Sequence, residues 1–159
     1  MGYAYSDNGA SFRAWNEPSN LLPGEVYFAA PATPTQLAAA FPSYGVVPLA
    51  QQAASALAAG LTISLSGSLT LSATLFPTDP TTTAKIIAMV AMAGQGVLPI
   101  GATDYPMKDS AGIWHHFIAA QYIKVGGAIA SYASALDLIA DGNPLGATAL
   151  PSASVSLTV

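Results

Sequence analysis

The side chains with most capacity for chemistry are His115 and His116, the two imidazoles of the chain, which stand next to each other in Ile113-Trp114-His115-His116-Phe117. The β-branched and aromatic character of that run predicts a strand. Neighbours on a strand point to opposite faces, so the two rings do not converge on one metal ion. Asp104 and Asp109 are close enough in sequence to supply further ligands. Asp109, however, falls in the turn Lys108-Asp109-Ser110-Ala111-Gly112, where an aspartate ordinarily serves its own backbone. The expectation is one packed and one wet histidine, with no metal and no catalytic role.

Other chemical signatures fail for stated reasons. No Gly-x-Ser-x-Gly elbow exists, and Ser66-Gly67-Ser68 lies between two alternating runs with no helix behind it. Gly94-x-Gly96 lacks a third glycine and follows a helical pattern where a dinucleotide site needs a strand, and no Gly-Lys-Ser/Thr loop is present. Glu17, Glu25, Asp137 and Asp141 are scattered. Asp137 and Asp141 share a helix face but sit near its C-terminus, where negative charge is unfavourable. A glycosidase-type carboxylate pair assembled in space stays open as an alternative. With no cysteine, disulfides, thiolate metal sites and cysteine nucleophiles are excluded together. The residues thus read as non-enzymatic, with no cofactor.

Charge is scarce. The 159 residues include 4 basic and 8 acidic side chains, a net charge of −4, against 52% apolar residues and a mean hydropathy of +0.48. An average chain of this length carries roughly 40 charges. Spread over the ~7,400 Å² expected of a folded monomer of 16.0 kDa, the charges present would be thin cover for a freely diffusing protein. This composition favours a subunit whose faces are covered by other chains. Arg13, Lys85, Lys108 and Lys124 form no basic stripe, so nucleic-acid binding is not expected. The longest strictly apolar run, Ile86 to Ala93, is short of a membrane span, and Met1 to Asn20 lacks the pattern of a secretory signal. Neither membrane insertion nor export by the general pathway is expected.

The elements that must hold these residues predict an α+β fold in two parts. Residues 1–45 form a small antiparallel β patch and a short helix. Tyr3 and Tyr5, the turn Asp7-Asn8-Gly9, and Phe12, Arg13 and Trp15 make a hairpin, Glu25 to Ala29 a third strand, and Thr33-Pro34 opens a two-turn helix ending at Phe41-Pro42. Residues 46–159 run helix, hairpin, helix, hairpin, long helix, strand, with the hairpins packed on an antiparallel pair of Ala-rich helices. The first helix follows Pro48, with Leu49, Ala53, Ala56 and Leu57 inward and Gly60 as its stop. Leu61, Ile63 and Leu65, then Leu69, Leu71, Ala73 and Leu75, give a hairpin with one apolar and one hydroxyl face. Asp79-Pro80 begins a helix with Ile86, Met89, Val90 and Ala93 buried. Thr103 to Met107 pairs with Ile113 to Phe117. The long helix spans about Ala119 to Ile139, with Tyr122, Val125, Ile129, Tyr132, Leu136 and Ile139 inward, and Asp141-Gly142-Asn143-Pro144 ends it. Val155, Leu157 and Val159 alternate with Ser156 and Thr158 as a last strand. Phe12 and Phe28 read as core; Trp15 and Trp114 are open between core and interface.

The Tyr-x-Tyr strand, its turn, SFRAW, LLPGEVYF and TPTQLAAAFPSY resemble the opening of phage tail-fibre assembly proteins and related small tail proteins. The second half resembles a domain of unknown function found in phage and prophage tail proteins, through ALAAGLTIS, FPTDPTTTAKIIAMVAMAGQG, TDYPMKDSAGIWHHFIAAQYIKVGGAIASYASALD and PSASVSLTV. The resemblance implies a non-catalytic tail component, multi-copy or oligomeric, that binds fibre or baseplate proteins in the virion and is assembled in the host cytoplasm. Relatives carry a better charged final helix; here Lys124 and Asp137 are its only charges, which favours a resident subunit over a transient fibre-assembly chaperone. A module that binds or degrades host-surface polysaccharide is the other alternative. Partner contacts are expected at Tyr3, Tyr5, Trp15, Trp114, His116, Val155, Leu157 and Val159.

Overall fold

Asp7, Asn8 and Gly9 all adopt positive φ, at 51°, 54° and 81°, a region that Asn and Gly tolerate. The 3-10 turn they form reverses the chain between β1 (Gly2–Ser6) and β2 (Ser11–Trp15). The structure, a computed structural model, describes residues 1–143 and 146–159. The fold is α+β, and the chain divides into two units, Met1–Val47 and Pro48–Val159.

In the first unit, β3 (Val26–Phe28) joins the other edge of β1, giving an antiparallel sheet of order β2-β1-β3. Helix α1 (Pro34–Ala40) starts with a reciprocal cap: the Gln36 amide N–H donates to Thr33 Oγ1 at 3.3 Å, and the Thr33 N–H donates to Gln36 Oε1 at 2.9 Å. A small core of Tyr5, Leu37 and Phe41 results, with Phe28 half-buried against it. Phe12 departs from expectation. It is 64% exposed, because β2 is an outer strand with an open face, and its ring leans on Tyr3 and Tyr5 at centroid distances of 5.9 and 5.4 Å.

One ion pair fixes the far side of this sheet. Arg13 donates from Nε to Glu25 Oε1 at 2.8 Å and from Nη2 to Oε2 at 2.7 Å, and the Leu22 N–H adds a third bond to Oε2 at 2.8 Å. The guanidinium, then the Leu22 amide, hold the Glu25 carboxyl down to about 2. Since the folded value lies below the ordinary 4.5, the contribution is complete above that pH and is lost as pH falls toward 2. Arg13 lies 3.8 Å from the Trp15 ring centroid, so Trp15 reports on the pair. Trp15 fluorescence followed from pH 5 to pH 2 is expected to show a transition in the native chain that Glu25→Gln removes.

The second unit is built on α4 (Ala119–Ala140), which packs against both α2 (Leu49–Ala59) and α3 (Pro80–Gly94). Its inward stripe is the expected one: Tyr122, Val125, Ile129, Tyr132, Leu136 and Ile139 are all buried. A side chain at Gly126 would strike Val90 and Ile86, so glycine there sets how closely α3 approaches. By length and a mean hydropathy of 1.3, α4 is apolar enough to cross a membrane, and 39% of that window is buried inside the protein. The Asp79 carboxylate caps α3 by accepting the Thr82 N–H at 3.0 Å. After α4 the turn runs through Gly142 and Asn143; the Pro144 portion of the expected stop lies outside the described residues.

The three-stranded sheet of this unit has the order β5-β4-β8. Strand β4 (Leu61–Ser66) buries Leu61, Ile63 and Leu65 as its alternation demands. Strand β5 (Leu71–Phe76) corrects the sequence reading, because Phe76 is buried and Leu75 is exposed. Leu65 pairs with Leu71 but Ile63 pairs with Thr74, so β5 carries one extra residue, and Ala73 in this bulge has φ of 28°. The bulge shifts the inward phase from Leu75 to Phe76. The last strand, β8 (Ser154–Thr158), adds to β4 in parallel, Ile63 beside Val155 and Leu65 beside Leu157. Thr62, Ser64 and Ser66 stand beside Ser154, Ser156 and Thr158, so on these two strands the other face carries hydroxyls, with Leu75 of β5 beside Thr62.

Val159 closes the β4–β5 turn. Its N–H donates to Ser66 O and its carbonyl accepts the Ser68 N–H, each at 2.8 Å. Gly67, at φ of 113°, leaves no room for a Cβ against the Val159 backbone. Gly67→Ala is expected to cost about 1–3 kcal/mol in thermal unfolding and to speed amide exchange at Ser68 and Val159.

Candidate functional site

The hairpin of β6 (Tyr105–Lys108) and β7 (Trp114–Phe117) carries the residues of chemical interest. Its register sets Tyr105 opposite Phe117 and Met107 opposite His115 on one face, and Pro106 opposite His116 and Lys108 opposite Trp114 on the other. The first face is the buried one: Tyr105, Met107 and Phe117 belong to the core that α4 organises. The two histidines therefore part company as adjacent strand residues must, with side-chain exposures of 18% for His115 and 63% for His116.

Each histidine meets its own carboxylate, a pairing that sequence spacing did not reveal. His115 Nε2 lies 2.9 Å from Asp109 Oδ2, and the ring stands edge-on to Phe76 at 5.7 Å. The other Asp109 oxygen accepts the Ile113 N–H at 2.8 Å, while the backbones of Asp109 and Ile113 pair across the same turn at 2.9 Å. Asp109 thus serves its own turn as expected and clamps a histidine as well. On the wet face, His116 Nδ1 lies 2.9 and 3.0 Å from the two oxygens of Asp104, an exposed pair worth about 0–1 kcal/mol. Among the described residues, no three His, Asp or Glu side chains converge.

The His115 hydrogen bond, with a further contribution from the Ile113 amide, holds the Asp109 carboxyl below its ordinary value. A depressed carboxyl stabilises the fold above the ordinary aspartate range and loses that contribution as pH falls through the folded value. Asp109→Asn is expected to loosen the turn at neutral pH and to weaken the acid dependence of unfolding. Thermal melts at pH 7 and pH 3 check this, with a smaller difference between them for the variant.

Beside the hairpin lies a cleft of about 370 Å³ whose walls come from four elements. Helix α3 contributes Lys85, Ile86 and Met89, β6 contributes Met107 and Lys108, and Trp114 and Tyr122 complete it. Trp114 is 57% exposed, with Lys108 Nζ 5.6 Å from its ring centroid. Tyr122 is 2% exposed, and burial pushes its hydroxyl up to about 12, so it stays a proton donor at neutral pH. The charges of this cleft were missed because Lys85 and Lys108 lie on separate elements; the available signal was that they are half of the chain's cations.

The remaining expected contact residues divide between surface and interior. Tyr3 is half-buried on β1. Tyr5 corrects the expectation of a surface anchor: it is a core residue whose hydroxyl accepts the Ala32 N–H at 3.1 Å. Trp15 is half-buried under Arg13 and donates from Nε1 to Glu17 O at 2.7 Å. Val155, Leu157 and Val159 are partly buried against their own chain's core. Trp114 and His116 stand exposed on the outer face of the hairpin. No protein-family model matches this chain, and no curated protein or solved structure is similar enough to count as a relative.

Proposed function

We propose that this chain is a structural subunit of a bacteriophage tail, resident in the particle and bound without covalent chemistry to a fibre or baseplate partner. The observation that carries the reading is the surface. Fourteen large apolar side chains are exposed among the described residues, more than the 12 charged residues in the whole chain. Single exposed apolar residues are ordinary, but this ratio is that of a molecule wetted sparsely by charge. Val97, Leu98 and the fully exposed Ile100 fall within a four-residue span of the segment that follows α3, the kind of apolar stretch that an interface covers. The resemblance to phage tail proteins supplies the type of assembly, and the sparsely charged α4 favours permanent packing over the part of a soluble chaperone.

The test is the composition of purified particles. Mass spectrometry is expected to find the chain at stoichiometric level; presence in the infected cell but absence from the particle overturns residence in favour of a transient chaperone. Ile100→Lys combined with Leu98→Ser is expected to leave the melting of the isolated chain within about 0.5 kcal/mol of the parent and to lower incorporation. Unchanged incorporation would remove this loop from the interface.

A second reading, attachment to host-surface polysaccharide, draws on the open face of Trp114. Titration with neutral oligosaccharides separates it, since a sugar stacked on that ring shifts its emission.

A further inference from the structure

The geometry points to the cleft between α3 and the β6–β7 hairpin as a binding site for a small amphiphilic carboxylate, an aliphatic chain ending in one acid group. The inference goes beyond the tail assignment and stands independently of it.

Charge is the first argument. In a chain of net charge −4 with four cations, Arg13 is committed to Glu25 and Lys124 donates from Nζ to Thr158 O at 2.7 Å. Lys85 and Lys108 are the other two. Both line this cleft, and among the described residues neither has a carboxylate or carbonyl partner. Lys108 has only the face of Trp114. The lining contains no carboxylate; the nearest in sequence are Asp109, held by His115 and the Ile113 amide, Asp104, paired with His116, and Asp79, which caps α3. Two ammonium groups at one site repel each other, and an anion between them relieves that repulsion.

The second argument is a donor without an acceptor. Tyr122 is almost fully buried and lines the cleft, yet among the described residues its hydroxyl has no hydrogen-bond partner. Among the described residues the fully enclosed side-chain oxygen without a partner is Thr83 Oγ1 and not this one, so the Tyr122 hydroxyl is reached by solvent at the cleft and is free to donate to a ligand. A carboxylate oxygen entering the cleft supplies the acceptor, and a hydrogen bond to a charged acceptor is among the stronger kinds.

The third argument concerns the body of the ligand. Ile86, Met89 and Met107 give aliphatic and thioether walls, and Met adapts to flexible chains. At about 370 Å³ the cleft is near the lower end of ligand sites, which run roughly 300–1,000 Å³, so the ligand is small. Apolar walls with donors and no acceptor carboxylates suit an alkyl chain with an acid head better than a neutral sugar.

The experiment uses the full chain carrying Trp15→Phe, so that Trp114 is the remaining indole. Octanoate is the probe and 1-octanol the neutral control. Octanoate is expected to shift Trp114 emission saturably with a Kd of about 1 mM or below, and to move the methyl resonances of Met89 and Met107 but not those of Met1 or Met92. Lys85→Met and Lys108→Met are each expected to weaken octanoate binding by about twofold to fivefold and to leave octanol binding unchanged. Tyr122→Phe, which keeps the ring in the core, is expected to weaken the acid and not the alcohol. Octanol binding as tightly as octanoate, an octanoate affinity indifferent to both lysine substitutions, or no saturable change with octanoate would each overturn the proposal.

Discussion

The second unit depends on one constraint: α4 must bury a continuous apolar stripe while two other helices lie against it. Leu136, Ile129 and Val125 are fully enclosed, and replacing such a residue by alanine typically costs 2–5 kcal/mol. Close approach is possible because the neighbouring surfaces are small. Gly126 faces Val90 and Ile86, and α2 offers alanines with Ala53 fully buried. Small side chains bury little area each; at Gly126 the Val90 and Ile86 side chains of α3 reach the α4 backbone, and larger apolar side chains come from the sheet and the hairpin. Polar ties then fix the ends. Gln121 accepts the Ile118 N–H and donates to Ser68 Oγ, each at 3.1 Å, joining the start of α4 to the β4–β5 turn. Thr78 donates to Leu57 O at 2.6 Å, joining the end of α2 to the approach of α3.

Scarcity of charge shapes how the few ionic groups are used. Arg13 and Glu25 make a bidentate pair that ties β2 to the segment before β3. Asp79 caps a helix, Asp109 closes a turn and holds a histidine, and Lys124 ties α4 to the carbonyl of Thr158 on β8. Each of these charges has a local structural partner. Against that background, Lys85 and Lys108 share one apolar cleft with no carboxylate or carbonyl partner among the described residues, Lys108 meeting only the Trp114 ring.

Much of the architecture was legible because it rests on local periodicity. The stripe of α4, the Thr33 and Asp79 caps and the alternation of β4 all follow from residue spacing within one element. The inward phase of β5 was misread for a different reason. Its leucines at 71 and 75 alternate cleanly, and only pairing with β4 reveals the extra residue at Ser72–Ala73 that turns Phe76 inward. Likewise Phe12 has the composition of a core residue, and its exposure follows from β2 being an outer strand, a property of the sheet and not of the strand. The site was less legible than the fold. The opposed histidines follow from strand geometry, but Asp104 and Asp109 as their partners arise from the register and turn of the β6–β7 hairpin, and Lys85 and Lys108 share a cleft because α3 packs beside β6.

A hairpin of two four-residue strands is marginal when isolated, so its shape must be held from outside. Tyr105, Met107 and Phe117 anchor one face in the core, and the Tyr105 hydroxyl donates to Val97 O at 3.0 Å. The Asp109–His115 clamp then fixes the turn, and the Ser110 N–H donates to Leu75 O at 2.9 Å, tying that turn to β5. Lys108 and Trp114 are the pair immediately inside this turn, so whatever sets the turn also sets the spacing of the two side chains that rim the cleft. Acidification that protonates Asp109 therefore acts on the cleft through the hairpin, without touching a lysine.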